Sequence, residues 1–167
     1  MIALQIQDVK DFMGKLLLQH TFDAFLVVEG SITTYNTFHI DGRLHPDYYT
    51  AEEQEALKTS LRSFSLWQEL KPFCLELIKG KRTPLSFRFT FRLSRENTEK
   101  LLAQTGSSFS LEQVDGLLLN LRYDETGLVC TTGTSLKLFT MDKSLEHAWD
   151  QMVQKFLLSQ ELIFTLL

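Results

Sequence analysis

Regular alternation of apolar and polar residues predicts the strands of this chain. The clearest strand runs over 85–93, where the alternation has no break. Its apolar positions are Leu85, Phe87, Phe89, Phe91 and Leu93. Shorter patterns of this kind predict strands over 3–7, 25–29, 32–40, 117–123, 128–131 and 135–139. Gly30 stands between two of these strands and is expected to form a tight turn.

Apolar residues at helical spacing predict helices over 9–17, 96–104 and 142–160. Thr50 and Glu53 have the spacing of a capping box, which predicts a helix from there to about residue 63. A further helix is predicted over 65–80. Pro72 should kink or restart it, because proline cannot donate the helical hydrogen bond. These elements indicate an α+β protein, and 167 residues suit a single domain over 1–167.

Two segments of the chain share one order of elements. Residues 1–49 and 85–140 each predict strand, helix, strand, strand. A helical insert over 50–80 separates them, and the C-terminal helix over 142–160 follows. The pattern predicts a duplicated unit whose copies share one core. The alternative is that amphipathic elements resemble one another without being copies.

The segment 95–139 resembles a domain of the bacterial DNA polymerase sliding clamp. The resemblance rests on the leucine-rich run Asp115–Leu121, the turn Asp124–Leu128 and the Thr-Gly-Thr strand start within Thr132–Leu136. It implies a clamp-like fold, because clamp domains are themselves duplicated. The chain departs from the clamp pattern at Ser135, where clamps often carry Asp, and in its helical insert. As a whole it resembles an uncharacterised bacterial family of unknown function, which implies no activity.

The charges argue against the function of a clamp, which lines its ring with basic helices. The chain has 17 basic and 21 acidic residues and a net charge of −4. Opposite charges nearly cancel on the outward faces of the two repeat helices, which carry Lys10, Asp11, Lys15, Arg95, Glu96, Glu99 and Lys100. One duplicated unit is also too small to surround a duplex. We therefore do not expect this chain to encircle nucleic acid.

One segment of this acidic chain is basic. Residues 79–95 contain six Lys and Arg residues and no acid. Arg88 and Arg92 should point away from the phenylalanine face of their strand, and Asn120 and Arg122 extend this polar face if their strand is the neighbour. Arginines on a rigid sheet suit bidentate binding of phosphate or carboxylate. The alternative is a solvated face whose arginines pair with acids on covering helices.

No catalytic residue, cofactor motif or metal site is expected. His39, Asp41 and His45 surround a predicted turn, but their spacing matches no ligand pattern. Cys74 and Cys130 are too isolated for a zinc site or a disulfide framework. We expect a non-enzymatic binding or scaffold protein that recognises an anionic ligand or a protein partner. The alternative is a small enzyme for an anionic substrate, with one of the histidines as acid–base beside the arginines.

The C-terminal segment is unusually apolar for a chain terminus. Leu162, Ile163 and Phe164 are expected to fold back on the core, to dock on a protein partner or second subunit, or to act as a short anchor. The anchor hypothesis rests on the segment from Gln160 to Phe164, which resembles the short peptides that bind sliding clamps. The start of the chain has no signal-peptide pattern, and no apolar run has membrane-spanning length. These features predict a cytoplasmic protein.

Overall fold

Eight strands form one sheet in the computed structural model, which describes residues 1–167. The strands are β1 (Ala3–Ile6), β2 (Leu26–Thr33), β3 (Thr37–Asp41), β4 (Ser65–Leu66), β5 (Ser86–Arg92), β6 (Val114–Asp124), β7 (Gly127–Leu136) and β8 (Phe164–Leu166). They lie in the order β3-β2-β5-β6-β7-β1-β8, and β4 pairs with β2. All of these pairs are antiparallel. The helices are α1 (Val9–Leu17), α2 (Ala51–Ser60), α3 (Trp67–Ile78), α4 (Arg95–Gln104) and α5 (Ser144–Ser159). The predicted α+β class is confirmed.

One face of the sheet carries an aromatic core. Phe87, Phe89 and Phe91 of β5 are fully buried on this face. Trp67 of α3 packs on them, with its ring centroid 5.0 Å from that of Phe89 and 5.1 Å from that of Phe91. Its indole N–H donates to the carbonyl of Leu16 in α1, at 2.8 Å. Burial of each such ring stabilises the fold by about 1.5–3 kcal/mol. Helices α1, α3, α4 and α5 all add side chains to this core, so the alternate residues of β5 point to the opposite face.

Some elements differ from the predicted ones. Gly30 lies inside β2 and not in a turn, because it pairs with Ile40 of β3 on one side and with Phe89 of β5 on the other. Pro72 lies inside α3 without ending it. Its missing N–H would have bonded to the carbonyl of Gln68, which is exposed and therefore open to water. The two strands predicted over 128–131 and 135–139 are replaced by one strand, β7, which ends at Leu136, so residues 137–139 lie outside it.

The order of elements recurs as predicted, but the strand pairing recurs only in the hairpins β2-β3 and β6-β7. In the predicted repeats, β1 and β5 occupy corresponding positions. The neighbours of β5 are β2 and β6, whereas those of β1 are β7 and β8. The first strands of the two repeats therefore have different neighbours, and the duplication over 1–49 and 85–140 stays a prediction.

The apolar C-terminal segment folds back on the chain itself. β8 pairs with β1 at one edge of the sheet. Leu162, just before β8, is buried in the core, Phe164 is half-buried, and Ile163 is exposed. Of the three hypotheses for this segment, folding back on the core describes Leu162, and docking of a partner through Ile163 and Phe164 stays a prediction.

Two threonines on the same side of β7 have opposite hydrogen-bonding states. The Thr132 hydroxyl donates to Asp150 of α5 and accepts from the backbone N–H of Ile2 at 2.9 Å. The buried hydroxyl of Thr134 has no protein partner. Burial of an unpaired polar group is unfavourable, whereas removing one member of a buried pair leaves the other unsatisfied.

We therefore expect the isosteric changes Thr132→Val and Thr134→Val to act in opposite directions. Thr132→Val should lower the free energy of unfolding by about 2 kcal/mol, and Thr134→Val should raise it by about 1 kcal/mol. Urea denaturation followed by circular dichroism measures both values. A loss of stability on Thr134→Val equal to that on Thr132→Val would contradict the assignment.

Candidate functional site

The face of the sheet opposite the core carries a row of polar side chains across four strands. Strand register places His39 of β3 opposite Ser31 of β2, Ser31 opposite Arg88 of β5, and Arg88 opposite Arg122 of β6. Neighbouring strands lie about 4.8 Å apart. The next row contains Asp41 of β3, Glu29 of β2, Thr90 of β5 and Asn120 of β6. These side chains share one face of the sheet because side chains alternate between the two faces along each strand. We call the surface that they form the open face.

Three of the four residues predicted to bind an anion come together on the open face. Arg88, Asn120 and Arg122 line one depression with a volume of about 690 Å³, and His39 lines it as well. The hydroxyl of Thr90 donates to the amide oxygen of Asn120 at 3.0 Å. This hydrogen bond leaves the amide N–H groups of Asn120 available to a ligand.

The arginines of the open face have few acidic partners. The Nε of Arg122 lies 3.4 Å from a carboxylate oxygen of Asp124. Arg88 has no carboxylate within 4.0 Å, since the ion pairs of arginine involve only Arg62, Arg95 and Arg122. The pKa of Asp124 is held below its ordinary value by hydrogen bonds from the side chain and backbone of Thr126, with smaller contributions from Arg122 and Arg88. Arg88 thus forms no ion pair, unlike the alternative in which each arginine pairs with an acid, although the acid Glu29 lines the same depression.

The fourth predicted residue, Arg92, lies in a separate groove. A Cβ atom on Gly116 of β6 would come within 3.2 Å of the Nε of Arg92, so this glycine lets the arginine lie across the strand. The guanidinium carbon lies 5.8 Å from the ring centroid of Phe64, within the range of a cation–π contact. No carboxylate lies within 4.0 Å of Arg92. The predicted site is therefore divided, with Arg92 apart from the other three residues.

The groove is formed by the helical insert, which folds over one end of the open face. Its volume is about 900 Å³, and its walls include Leu57 of α2 above and Leu118 of β6 below. The predicted capping box starts α2, with Thr50 and Glu53 each accepting from the backbone N–H of the other. The helix ends before the predicted residue 63, because Leu61 has a left-handed conformation with φ 53°. Sequence reasoning missed this groove. The sequence signal that could have indicated the groove is the pair Leu57 and Leu61, which lie one helical turn apart and are each followed by a basic residue.

The histidine cluster and the cysteines do not form a chemical site. His39 lies on the edge strand β3, and His45 precedes a single helical turn at residues 46–48. Asp41 accepts from the backbone N–H of Arg43 at 3.0 Å. No three His, Cys, Asp or Glu side chains are grouped so that they could hold a metal ion. Burial raises the pKa of Cys74 to about 12 and raises that of Cys130 as well, so both thiols are protonated at neutral pH.

The fold and its open face define an α+β protein in which a polar, arginine-bearing sheet surface lies opposite an aromatic core. The pattern of a family of unknown function, DUF5721, matches residues 15–165. The chain belongs to this family, so the predicted membership of an uncharacterised family is confirmed. The family's description assigns no activity, in agreement with the prediction of unknown function.

The other comparisons do not extend this result. No curated protein and no solved structure matches the chain significantly. The likeness to a sliding-clamp domain therefore stays a prediction. None of the helices has both the length and the apolar character needed to cross a membrane.

Proposed function

We propose that this chain is a non-enzymatic binding protein that holds an anionic ligand on its open face through Arg88, Asn120 and Arg122. The observation that carries the proposal is the direct pairing of Arg88 with Arg122 on neighbouring strands. Like charges at opposed positions destabilise a sheet. Of these two arginines only Arg122 lies within 4.0 Å of a carboxylate, that of Asp124, and Glu29, which lines the same depression, forms no ion pair with Arg88. An anion bound between the two guanidinium groups would remove this repulsion.

The donors of the open face suit a phosphate or carboxylate group. Each guanidinium offers a planar set of N–H donors that matches two oxygens of an anion. The amide N–H groups of Asn120 add neutral donors, because its oxygen already accepts from Thr90. The strands hold these groups on a rigid surface, which lowers the entropy lost on binding.

We expect inorganic pyrophosphate to bind to this face and to bind more weakly as salt rises. Exposed charges are screened beyond about 10 Å at about 0.1 M salt, so titration calorimetry from about 0.05 to about 0.5 M NaCl should show falling affinity. The double change Arg88→Ala/Arg122→Ala should abolish binding. The melting temperature should stay nearly unchanged, because both side chains are exposed.

The control for this experiment is Arg82→Ala. Arg82 is an exposed arginine of the same basic segment, and it has no carboxylate within 4.0 Å. This change should leave pyrophosphate binding intact. Binding that survives in the double variant, or that falls equally in the control, would mean that the open face is not the site.

A small enzyme for an anionic substrate is the second candidate. The position of His39 among the residues that line the same depression favours this candidate. A general acid–base also needs a group that orients it, and no side chain of the protein hydrogen-bonds to His39, whereas His20 pairs with Asp23 at 2.7 Å. Phosphate release measured in the pyrophosphate titrations should therefore be absent. Release that disappears in His39→Ala would favour the enzyme.

We do not propose nucleic-acid binding, although one segment is predicted to resemble a sliding-clamp domain. Lys15 pairs with Asp11 on α1, and Lys100 pairs with Glu96 on α4. These pairs neutralise the helices that a clamp would direct towards DNA. We place the protein in the cytoplasm, where its two buried free cysteines would stay reduced.

A further inference from the structure

The groove beneath α2 combines apolar walls with an excess of positive charge. Leu57 and Leu61 line it from the insert, and Leu118 lines it from the sheet. Arg43 and Arg92 also line it, and neither has a carboxylate within 4.0 Å. Asp115 is the one acid among the lining residues, and it accepts a hydrogen bond from Ser135. An apolar wall beside unpaired guanidinium groups is complementary to a molecule with an apolar body and an anionic head.

Helix α2 lacks the packing that normally stabilises a helix of its length. None of its residues is buried, and only Gln54 and Leu57 are half-buried. A helix of about ten residues is marginal in water without an apolar face packed on other elements. The space below Leu57 separates α2 from the sheet, so the apolar side of α2 faces the groove and not the core.

Arg92 is held in place for a ligand although it has no acidic partner. Its side chain lies against Gly116 and contacts the ring of Phe64, and the residue is half-buried. No hydrogen bond from its guanidinium to a protein acceptor is formed, in contrast to Arg62, which donates to Glu69. Arginine seldom lies partly buried without an acceptor, because its N–H donors lose water there.

We infer that the groove binds a small amphipathic organic anion, with a carboxylate or phosphate head at Arg92 and an apolar body between α2 and the sheet. The volume of about 900 Å³ is that of a small-molecule cleft. This site is independent of the open-face site, since the two depressions have no lining residue in common.

The experiment compares ligands that share a body or a head. Octanoate and octyl phosphate carry both parts, 1-octanol lacks the charge, and acetate lacks the body. Titration calorimetry should show saturable one-to-one binding of at least one octyl anion, at an affinity about tenfold or more above that of 1-octanol. Acetate should bind too weakly to measure.

Two variants test whether the anionic head of the ligand lies at Arg92 and its apolar body at Leu57. Arg92→Gln should weaken binding of the octyl anions about tenfold or more and leave 1-octanol unaffected. Leu57→Gln on the exposed helix α2 should weaken every octyl ligand, and it provides a second test should Arg92→Gln fail to fold. Arg82→Gln is the matched control and should bind like the wild type.

Particular outcomes would overturn the inference. The first is equal binding of 1-octanol and the octyl anions. The second is wild-type affinity for the octyl anions in a folded Arg92→Gln or Leu57→Gln variant. Loss of pyrophosphate binding in Arg88→Ala/Arg122→Ala concerns the open face alone, so the failure of either site is recognised separately.

Discussion

Gly42→Ala is expected to lower the free energy of unfolding by about 4 kcal/mol or more. A Cβ atom at Gly42 would lie 1.7 Å from the carbonyl oxygen of Val27 and 2.6 Å from its carbonyl carbon. Both are backbone atoms of β2, so no side-chain rotation can relieve the overlap. The backbone of Gly42 is itself fixed, because its N–H donates to Val28 at 3.0 Å and its carbonyl accepts from Ser65 at 2.8 Å.

The consequence extends to the groove, because Gly42 joins β3 to the insert. Displacing it would break the hydrogen bond to Ser65, the first residue of β4. Thermal and urea denaturation followed by circular dichroism measure the loss of stability.

Gly14→Ala is the matched control for Gly42→Ala. A Cβ atom at Gly14, inside α1, would meet no atom within 4 Å. Because alanine favours a helix over glycine, this change should raise stability by about 0.5–1 kcal/mol. A loss of less than about 1 kcal/mol on Gly42→Ala would show that the backbone at Gly42 can move away from β2 and admit a side chain.

The elements that sequence predicted well are those whose signal is local. The alternation over 85–93 reports burial residue by residue, and the observed strand β5 differs from it only at its ends. The capping box at Thr50 marks the start of α2 for the same reason, since both partners lie within one turn. Period and caps therefore predict the type and position of an element.

Long-range contacts decided the features that sequence could not predict. Gly30 has a local turn signal, yet β3 and β5 hold it in a strand from both sides. The close approach of Gly42 to Val27 depends on how the chain crosses β2, which no local pattern encodes. The different neighbours of β1 and β5 likewise depend on pairings between residues far apart in sequence.

The candidate site shows the same division between local and long-range information. Alternation of side chains places Arg88 and Arg92 on one face of β5, and the structure agrees. Alternation does not indicate that the insert covers the end of this face where Arg92 lies. Sequence therefore indicated the arginines of the open face, whereas the groove depends on how the insert packs, for which Leu57 and Leu61 give only a local signal.

Leu162→Ala is expected to lower the free energy of unfolding by about 2–5 kcal/mol, whereas the neighbouring change Ile163→Ala should alter it by about 0.5 kcal/mol or less. Leu162 is 1% exposed and Ile163 is 61% exposed, so the pair compares a core residue with a surface residue in one short segment. Glu161, with φ 60°, turns the chain at the end of α5 and directs Leu162 inward. The backbone N–H of Leu162 then donates to Leu157 at 2.9 Å.

The same comparison decides between the hypotheses for the C-terminal segment. Ile163 accepts from the backbone N–H of Gln7 at 3.0 Å, and the N–H of Leu167 donates to Ala3 at 2.9 Å, so β8 is anchored to β1 on both sides. Without the Leu162 side chain, this edge should open more often. Amide hydrogen exchange at Gln7 and Leu167 should then quicken well before that of the central strands. Equal effects of the two changes on stability, with unchanged exchange at β8, would instead favour a segment that is free to dock on a partner.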